Sequence, residues 1–436
     1  MNNTFDVPPL NQELCDRAKS VKNASIKTGQ ATNEERVNAL NLMADALVEN
    51  FDSILEANLK DYNNAKNKGV SNSLLNRLKL SREKLSLGIE GIRQVSQLKD
   101  PVGQLQINKQ IAENLILQRK TVPIGVIGVI FESRPDAVMQ ISSLAIRSGN
   151  GVILKGGSEA NLTNLALVEA LKMGLMRSEI DENSLSLLTS RKDSMAMLNL
   201  EKEINLIIPR GSNELVKFIQ QNTKIPVLGH ADGICHIYVD NDVDIDLAIK
   251  VSLDSKIQYP AACNAIETLL IHNDIASNFL KKAIPVFENN NVILKGDKES
   301  VSFGVGVQAT EEDWRTEYLD KTLSIRIVDS IDEAINHIQE FSSKHTDGII
   351  TNNSHNALRF MNTVDSAGVF HNCSTRFADG FRYGFGAEVG ISTQALPPRG
   401  PVGLEGLVTY KYFLNGNGQT VEDFSSGNKT FTHKDI

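Results

Sequence analysis

The chain has 436 residues, of which 41% are hydrophobic and 22% are charged, so it can bury a large core. A typical domain has about 150 residues, and this length therefore predicts two or three domains. The 45 lysines and arginines and the 53 aspartates and glutamates give a formal net charge of −8. Because the chain is acidic and has no long basic run, we expect neither nucleic acid nor an anionic membrane as its main partner.

The N-terminal segment and the cysteines indicate a cytoplasmic protein. The first residues have neither a basic start nor an apolar core, so no signal peptide is predicted, and no apolar run is long enough for a membrane helix. The four cysteines are too few and too far apart for a disulfide scaffold: Cys15, Cys235, Cys263 and Cys373. In a reducing compartment a single thiol can stay free to react.

The first hundred residues are predicted to be helical. Thr32 and Glu35 form a capping-box pattern. Apolar residues then follow at spacings of three and four, as on one helix face: Leu40, Met43, Leu47, Phe51, Ile54 and Leu55. Residues 103–122 alternate in polarity instead, which predicts an extended β-hairpin arm.

From residue 123 onward, short apolar runs alternate with helical patterns. The predicted strands are 125–131, 151–155, 185–188, 204–208, a strand near 226, and 234–239. Pro135 suits a first helical turn, because its missing N–H would be unpaired there, and another helix is predicted from Ser212. This order is typical of an α/β fold, in which a parallel sheet is covered on both faces.

A second series of strands and helices begins near Ile245, with apolar runs at 268–272, 304–307, 323–328 and 348–351. The acidic segment 240–246 is predicted to be a hinge between the two series. The last twenty or so residues are predicted to be loose, because they contain NGNG and SSGN.

Two strand ends are candidates to bind a phosphate or a ribose. Lys155 ends a buried strand beside a glycine turn and a helix N-terminus, although a solvated lysine is the alternative interpretation. Gly211 and Ser212 repeat the arrangement after another strand. The G-x-G-x-x-A pattern at 304–309 is predicted to be only a glycine-containing strand, because acidic residues follow where a phosphate would lie.

Cys263 is the candidate nucleophile. Small neighbours leave its sulfur approachable, and an inert structural thiol is the alternative. Four scattered histidines could pair with it: His230, His236, His345 and His371. They lack the spacing of a zinc site, so no metal is expected, and no G-x-S-x-G nucleophile occurs.

The segment 371–403 is rich in glycine, arginine and aromatic residues. Its arginines could bind a small anionic group. A long loop that crosses between domains is the alternative, and the residues alone leave both interpretations open.

In this order, the segments resemble the aldehyde dehydrogenase superfamily, and more closely its γ-glutamyl phosphate reductase branch. The resemblance extends over nearly the whole chain, through VPIGVIGVIFESRPDAV (122–138), SGNGVILKGGSEA (148–160), IIPRGSNELV (207–216), LGHADGICHIYVD (228–240), YPAACNAIETLL (259–270), HTDGIIT (345–351) and RFADGFRYGFGAEVGIST (376–393). It implies an aldehyde dehydrogenase-like fold. The expected parts are a cofactor domain at 1–240 that includes the arm, a catalytic domain at 241–388, and a return segment at 389–436 with an oligomerisation strand and a loose tail.

The resemblance also implies the cofactor, which the superfamily binds without a G-x-G-x-x-G loop. NADPH is expected here. By resemblance, Lys155 would contact the adenosine ribose, Gly211 and Ser212 would lie by the pyrophosphate, and Glu317 would hold the nicotinamide ribose. Glu317 stands in TEYLD, where the wider superfamily has E-x-F-G-P.

Two positions differ from the oxidising members of the superfamily. Where those members have a glutamate that activates water, this chain has Gly229 or His230, so water attack on a thioester would lack its base. Where they have an oxyanion-binding asparagine, this chain has Ser133, whose hydroxyl would act with the Cys263 backbone amide.

The reaction implied by the resemblance belongs to proline biosynthesis. The Cys263 thiolate would attack the acyl phosphate L-glutamyl 5-phosphate, and NADPH would reduce the thioester to L-glutamate 5-semialdehyde. Arg134, Arg376 and Arg382 are the candidates to bind the anionic groups of the substrate. Another superfamily activity, either CoA-acylating or oxidising, and an inert binding paralogue are the alternatives.

The expected partners are further copies of the chain and an upstream enzyme. The strands at 103–122 and 408–412 could pair between subunits, which favours a homo-oligomer. Glutamate 5-kinase is the candidate partner that would hand over the labile acyl phosphate.

Overall fold

The computed structural model describes residues 7–132, 134–229 and 232–436, and it divides the chain into two compact units. The first unit extends to Leu228 and also contains residues 385–390 and 402–436. The second unit contains residues 229–384 and 391–401.

Five helices come first, as predicted: α1 (Gln12–Gln30), α2 (Asn33–Glu49), α3 (Phe51–Asn67), α4 (Asn72–Leu78) and α5 (Arg82–Gln97). The capping box is confirmed, because the Glu35 N–H donates to the Thr32 hydroxyl at 3.2 Å and the Thr32 N–H donates to the Glu35 carboxylate at 2.7 Å. The predicted single helix face is divided between α2 and α3. The Asn50 side-chain amide donates to the Ala46 carbonyl at 2.8 Å, where α2 ends.

The predicted arm consists of β1 (Leu105–Ala112) and β2 (Leu115–Pro123), which pair in antiparallel orientation. Asn114 adopts a φ of 56° in the tight turn between them. Asparagine tolerates this left-handed conformation better than most residues do.

The first parallel sheet contains β3 (Val126–Phe131), β4 (Gly151–Lys155), β5 (Leu185–Leu187) and β6 (Leu206–Arg210), in the order β5-β4-β3-β6. Its helices are α6 (Asp136–Arg147), α7 (Asn161–Leu175), α8 (Arg191–Ala196) and α9 (Asn213–Asn222). All residues of β3 and β4 are buried, as expected for a sheet covered on both faces. The connections run in opposite directions from β3, so β3 and β6 flank a switch point, where ligands bind beyond the carboxyl ends of the strands.

The second sheet has the order β10-β9-β11-β8-β7-β12-β13, and all its pairs are parallel. The strands are β7 (Cys235–Val239), β8 (Ile266–His272), β9 (Ile293–Gly296), β10 (Val307–Gln308), β11 (Thr322–Val328), β12 (Thr346–Ile350) and β13 (Gly368–His371). The helices are α10 (Ile245–Ile257), α11 (Asn273–Asn289), α12 (Lys298–Ser302), α13 (Ile331–Phe341) and α14 (Ser354–Thr363).

Three features differ from the sequence predictions. The chain divides after Leu228 rather than at 240, because β7 pairs with β8 and β12 of the second unit. Residues 240–246 are not a hinge between the units, since they join β7 to α10 within one unit and Asp244 caps α10. The strand predicted at 304–307 is reduced to the two residues of β10, because the chain turns at Gly304 with a φ of 107°.

The C-terminal part crosses between the units and then completes the arm. Its elements are β14 (Gly390–Ser392), β15 (Gly400–Val402), β16 (Val408–Asn415), α15 (Val421–Ser425) and β17 (Lys434–Asp435). β16 pairs with β2, and β17 pairs with β1. The tail predicted to be loose is therefore partly ordered, and the Phe424 and Phe431 rings stack 4.4 Å apart.

No helix in the described part of the chain is long and apolar enough to cross a membrane.

Candidate active site

Cys263 lies in the loop between α10 and β8, at the amino-terminal edge of the second sheet. Cys235 begins β7, and His345 immediately precedes β12. The strands β8, β7 and β12 are neighbours in this parallel sheet, so their amino ends lie at one edge. The topology thus brings together residues that are 28 and 82 positions from Cys263.

His345 contacts the candidate nucleophile. The Cys263 Sγ and the His345 Nε2 are 3.2 Å apart, and the His345 Nδ1 is 2.8 Å from the Thr346 Oγ1. His345 is only 1% exposed. Sequence alone leaves His345 among four scattered histidines, because no spacing motif links residues of different strands. Its position just before a strand of the second series was the one signal available.

A buried carboxylate holds the start of β12, next to His345. Asp347 accepts a hydrogen bond from the His236 backbone N–H at 2.8 Å and another from the Ser342 hydroxyl at 2.7 Å. The Ser366 hydroxyl is a further donor, and the His236 Nδ1 lies 3.0 Å from the same carboxylate. Because His236 and Asp347 are both fully buried, these bonds fix the segment that contains His345.

Two residues at the start of β7 and just before it lie against the Cys263 backbone. The Cys235 thiol donates to the Cys263 carbonyl with a separation of 3.3 Å. Burial raises the pKa of the Cys235 thiol well above its usual value, so this thiol stays protonated, in agreement with its predicted structural role. A Cβ atom on Gly233 would lie 2.3 Å from the Cys263 carbonyl oxygen and 2.6 Å from its Cβ. Only glycine therefore permits this close approach.

One of the predicted substrate arginines contacts the Cys263 loop, and a second one is bonded to the first. The Arg376 Nε donates to the Gln258 Oε1 at 2.9 Å, and the guanidinium carbon is 5.9 Å from the centre of the Tyr259 ring. Burial lowers the pKa of Arg376 and the charge of Arg382 lowers it further, whereas Cys263 raises it. The Arg382 guanidinium donates to the Arg376 carbonyl, so the positive charge of Arg382 lies next to the Arg376 backbone.

The other predicted residues of the reaction centre are placed differently. Arg134 is exposed and belongs to the first unit. Ser133 and His230 lie outside the described residues. Gly229 begins the second unit and has no side chain that could activate water.

Lys155, Gly211 and Ser212 all lie at the carboxyl edge of the first sheet. Lys155 ends β4, is only 7% exposed, and donates its ammonium to the Gly156 carbonyl. Gly211 follows β6, and a Cβ atom there would lie 2.8 Å from the carboxyl carbon of Glu132. Gly211 and Ser212 therefore lie at the switch point of the sheet, and Lys155 lies on the same edge at the end of the adjacent strand β4.

The N-terminus of α9 already binds a carboxylate. The Ser212 backbone N–H donates to the Glu132 Oε2 at 3.0 Å, and the Ser212 hydroxyl accepts from the Leu215 N–H at 3.4 Å. Glu132 directly follows β3 and was not predicted from the sequence. Its carboxylate demonstrates that this helix terminus accepts an anion, as the positive end of a helix dipole should.

Glu317 belongs to the second unit and lies near a buried ion pair. The Lys256 Nζ and the Glu267 Oε2 are 2.5 Å apart, and both side chains are buried. Burial raises the pKa of Glu267, Lys256 lowers it, and the nearby charge of Glu317 raises it again. The Tyr318 hydroxyl donates to the Asp313 carboxylate at 2.8 Å, which anchors the segment that contains Glu317.

Comparison with known proteins shows similarity along the whole chain. The profile of the aldehyde dehydrogenase family matches residues 4–325. A protein of Prochlorococcus marinus (strain CCMP1986 / NIES-2087 / MED4), named γ-glutamyl phosphate reductase, is 71% identical over 436 residues, which are 100% of both chains. The crystal structure of γ-glutamyl phosphate reductase from Thermotoga maritima is 40% identical with a TM-score of 0.92, and the match covers 94% of this chain and 100% of that one.

A more distant structure supports the fold alone. A glyceraldehyde-3-phosphate dehydrogenase from Methanocaldococcus jannaschii, complexed with NADP, is 14% identical with a TM-score of 0.66, over 95% of this chain and 96% of that one. These similarities confirm the predicted α/β fold of the aldehyde dehydrogenase type, with its parallel sheets.

Proposed function

Because this chain belongs to the aldehyde dehydrogenase family, we propose that it reduces L-glutamyl 5-phosphate to L-glutamate 5-semialdehyde with NADPH and releases phosphate. The main support is the 71% identity, over the full length of both chains, to a protein named γ-glutamyl phosphate reductase. The reaction would serve proline biosynthesis in the cytoplasm.

Cys263 is the proposed nucleophile. Its thiolate attacks the acyl carbon, where a carbon–sulfur bond forms and the bond to the phosphate oxygen breaks, so a thioester remains on Cys263. NADPH, when bound, supplies the hydride that reduces this thioester. The resulting thiohemiacetal on Cys263 breaks its carbon–sulfur bond and releases the semialdehyde. The Cys263 backbone amide and the Ser133 hydroxyl are the proposed donors to the oxyanion.

Four residues would hold the cofactor. Lys155 would bind the adenosine ribose, Gly211 and Ser212 the pyrophosphate, and Glu317 the nicotinamide ribose. The support for the pyrophosphate position is the Ser212 N–H, which already binds an anionic oxygen at 3.0 Å. The choice of NADPH over NADH follows from the proposed membership of the reductase branch.

The proposed substrate residues are Arg134, Arg376 and Arg382, since the substrate has both a carboxylate and a phosphate. Arg376 has the strongest support, because it is 8% exposed and contacts the two residues Gln258 and Tyr259 of the Cys263 loop. Gly229 or His230 stands where the oxidising members have a glutamate, and the absence of a carboxylate there favours reduction of the thioester over its hydrolysis.

The reverse reaction tests the proposed function. We expect the purified chain to form NADPH from NADP⁺ and L-glutamate 5-semialdehyde only when inorganic phosphate is present, because phosphate must attack the thioester to release the product. NADPH absorbance measures the rate, with CoA in place of phosphate as the comparison. If NADPH forms only with CoA and phosphate has no effect, the chain is a CoA-acylating enzyme instead. If NADPH forms with neither phosphate nor CoA present, water attacks the thioester and the chain is an oxidising enzyme.

We also propose a homo-oligomer formed through the arm. β16 is an edge strand of the arm sheet, and its exposed side chains include Tyr412 at 57% and Leu414 at 56%. An exposed apolar edge favours pairing with another chain. Light scattering is expected to give a multiple of the 47.9 kDa chain mass, and Tyr412→Lys should lower the measured mass. A monomeric wild-type chain would contradict this proposal.

Glutamate 5-kinase is the proposed supplier of the substrate.

A further inference from the structure

The contact between His345 and Cys263 has the geometry of a proton-transfer pair. The Sγ and the Nε2 are 3.2 Å apart, which is well within hydrogen-bonding distance for sulfur. His345 comes from the start of β12, and Cys263 comes from the loop before β8, so the pair joins two separately anchored parts of the second unit. An imidazole beside a thiol is an arrangement that activates cysteine nucleophiles.

The surroundings of His345 fix the direction of its ring. The Nδ1 is 2.8 Å from the Thr346 Oγ1, and Thr346 is only 1% exposed. The next residue, Asp347, is held by buried hydrogen bonds to His236 and Ser342. A hydrogen bond at one ring nitrogen sets the proton position on the other nitrogen, so an Nδ1 that donates to the Thr346 hydroxyl leaves the Nε2 unprotonated and able to accept a proton. The Nε2 is therefore directed at the sulfur by neighbours that do not touch the sulfur themselves.

Among the described residues, two other polar groups near Cys263 are poor candidates to move a proton. The Cys235 thiol donates to the Cys263 carbonyl and is buried, so it keeps its proton. The Arg376 guanidinium stays protonated in proteins and serves as a fixed cation. Gly229, one of the two residues aligned with the carboxylate of the oxidising members, has no side chain.

We propose that His345 is a catalytic residue that takes the proton of the Cys263 thiol and then gives it to the departing phosphate. This inference rests on the proposed function. The Sγ proton first moves to the Nε2, which leaves a thiolate and an imidazolium. As the thiolate bonds to the acyl carbon and the carbon–oxygen bond breaks, the imidazolium proton moves to the leaving oxygen. Phosphate departs as HPO₄²⁻, and His345 is neutral again.

The proton balance explains why a donor is needed. Without a proton, the acyl phosphate dianion would have to release a phosphate trianion. The leaving oxygen and the attacking sulfur are bonded to the same carbon in the tetrahedral intermediate, so a group that contacts the sulfur also lies near that oxygen. After the hydride step, the thiohemiacetal alkoxide collapses to the aldehyde and the Cys263 thiolate. One proton from water then restores the resting thiol, which matches the one proton that the overall reduction consumes.

The test compares His345→Gln with His355→Gln, a control on the exposed face of α14 in the same unit. For His345→Gln, kcat with the acyl phosphate should fall by about 10²- to 10⁴-fold, as is typical for loss of a general acid–base group. Alkylation of Cys263 by iodoacetamide at neutral pH, followed by peptide mass spectrometry, should slow by roughly tenfold or more, because the thiolate is the reactive form. His355→Gln should match the wild type in both measurements.

A third measurement separates the two proton transfers. The burst of 4-nitrophenolate from 4-nitrophenyl acetate reports acylation by a substrate whose leaving group needs no proton. His345→Gln should therefore lose less in this burst than in the acyl phosphate reaction. A purely structural defect would lower both reactions equally and would lower the melting temperature.

Thr346→Val provides a second variant if His345→Gln does not fold. It removes the partner of the Nδ1, and we expect a smaller loss of kcat, about tenfold.

Alkylation and kcat within about twofold of the wild type in a folded His345→Gln protein would overturn the inference. Failure of the wild type to release phosphate in an NADPH-dependent reaction would instead overturn the proposed function, and alkylation would still test the pair.

Discussion

Replacement of Cys263 by alanine is expected to lower NADPH-dependent turnover of L-glutamyl 5-phosphate by roughly 10⁶-fold, to the background of the assay. Loss of a covalent nucleophile has an effect of this order, because the remaining groups can only bind and orient the substrate. Binding of NADPH, measured by the change in its fluorescence, should remain close to that of the wild type. The residues proposed to bind the adenosine ribose and pyrophosphate are in the first unit, whereas Cys263 is in the second.

Cys373→Ala is the matched control for this experiment. Cys373 is half-buried and also belongs to the second unit, and burial raises the pKa of its thiol. Its removal should leave turnover within about twofold of the wild type, because a thiol with a raised pKa is mostly protonated at neutral pH. Turnover by Cys263→Ala near the wild-type rate would exclude the thioester mechanism altogether.

Gly233→Ala is expected to lower kcat by about a hundredfold, although Gly233 takes no part in the chemistry. The added methyl group would lie 2.3 Å from the Cys263 carbonyl oxygen and 2.5 Å from its Cα, so the Cys263 loop must move. A displacement of about 1 Å at a reacting group can cost this much in rate. The free energy of unfolding should fall by about 1–3 kcal/mol, as for other overpacked sites.

Gly306→Ala in the same unit is the control, because no heavy atom beyond Gly306 and its two chain neighbours lies within 4 Å of the position that its Cβ would occupy. We expect both kcat and stability to be unchanged in this variant. If Gly233→Ala and Gly306→Ala have equal kcat at saturating substrate, the Cys263 loop accommodates the added methyl group without loss of activity, and the prediction is wrong.

Much of the fold was predictable because local sequence decides the elements. A buried parallel strand needs a continuous apolar run, and the residues of β3 and β4 provide such runs. Thr32 and Glu35 satisfy each other's backbone groups without help from the rest of the chain. The break at Asn50 was not visible, because both helices continue the same apolar spacing and the Asn50 side chain bonds the last turn of α2 without any pattern that predicts it.

The candidate site was less predictable, because sheet order assembles it. Cys263 had local signals, namely small neighbours and a position before a strand. His345 meets it only because β7 lies between β8 and β12, and no local pattern encodes that order. Glu132 was missed for the same reason, since its partner Ser212 follows a different strand. Ser133 is outside the described residues, so its oxyanion role stays a prediction.

The carboxylate of Glu132 at the start of α9 has a consequence for cofactor exchange. A pyrophosphate that binds the Ser212 N–H must first displace an anion that is tethered to the same unit. If the pyrophosphate binds there as proposed, the two anions would compete for one amide, and the cofactor affinity would be weaker than the amide alone would provide. The same competition would assist departure, because Glu132 could return to the amide as the oxidised cofactor leaves. With the pyrophosphate at the proposed position, this internal competitor would favour release of the cofactor in every cycle.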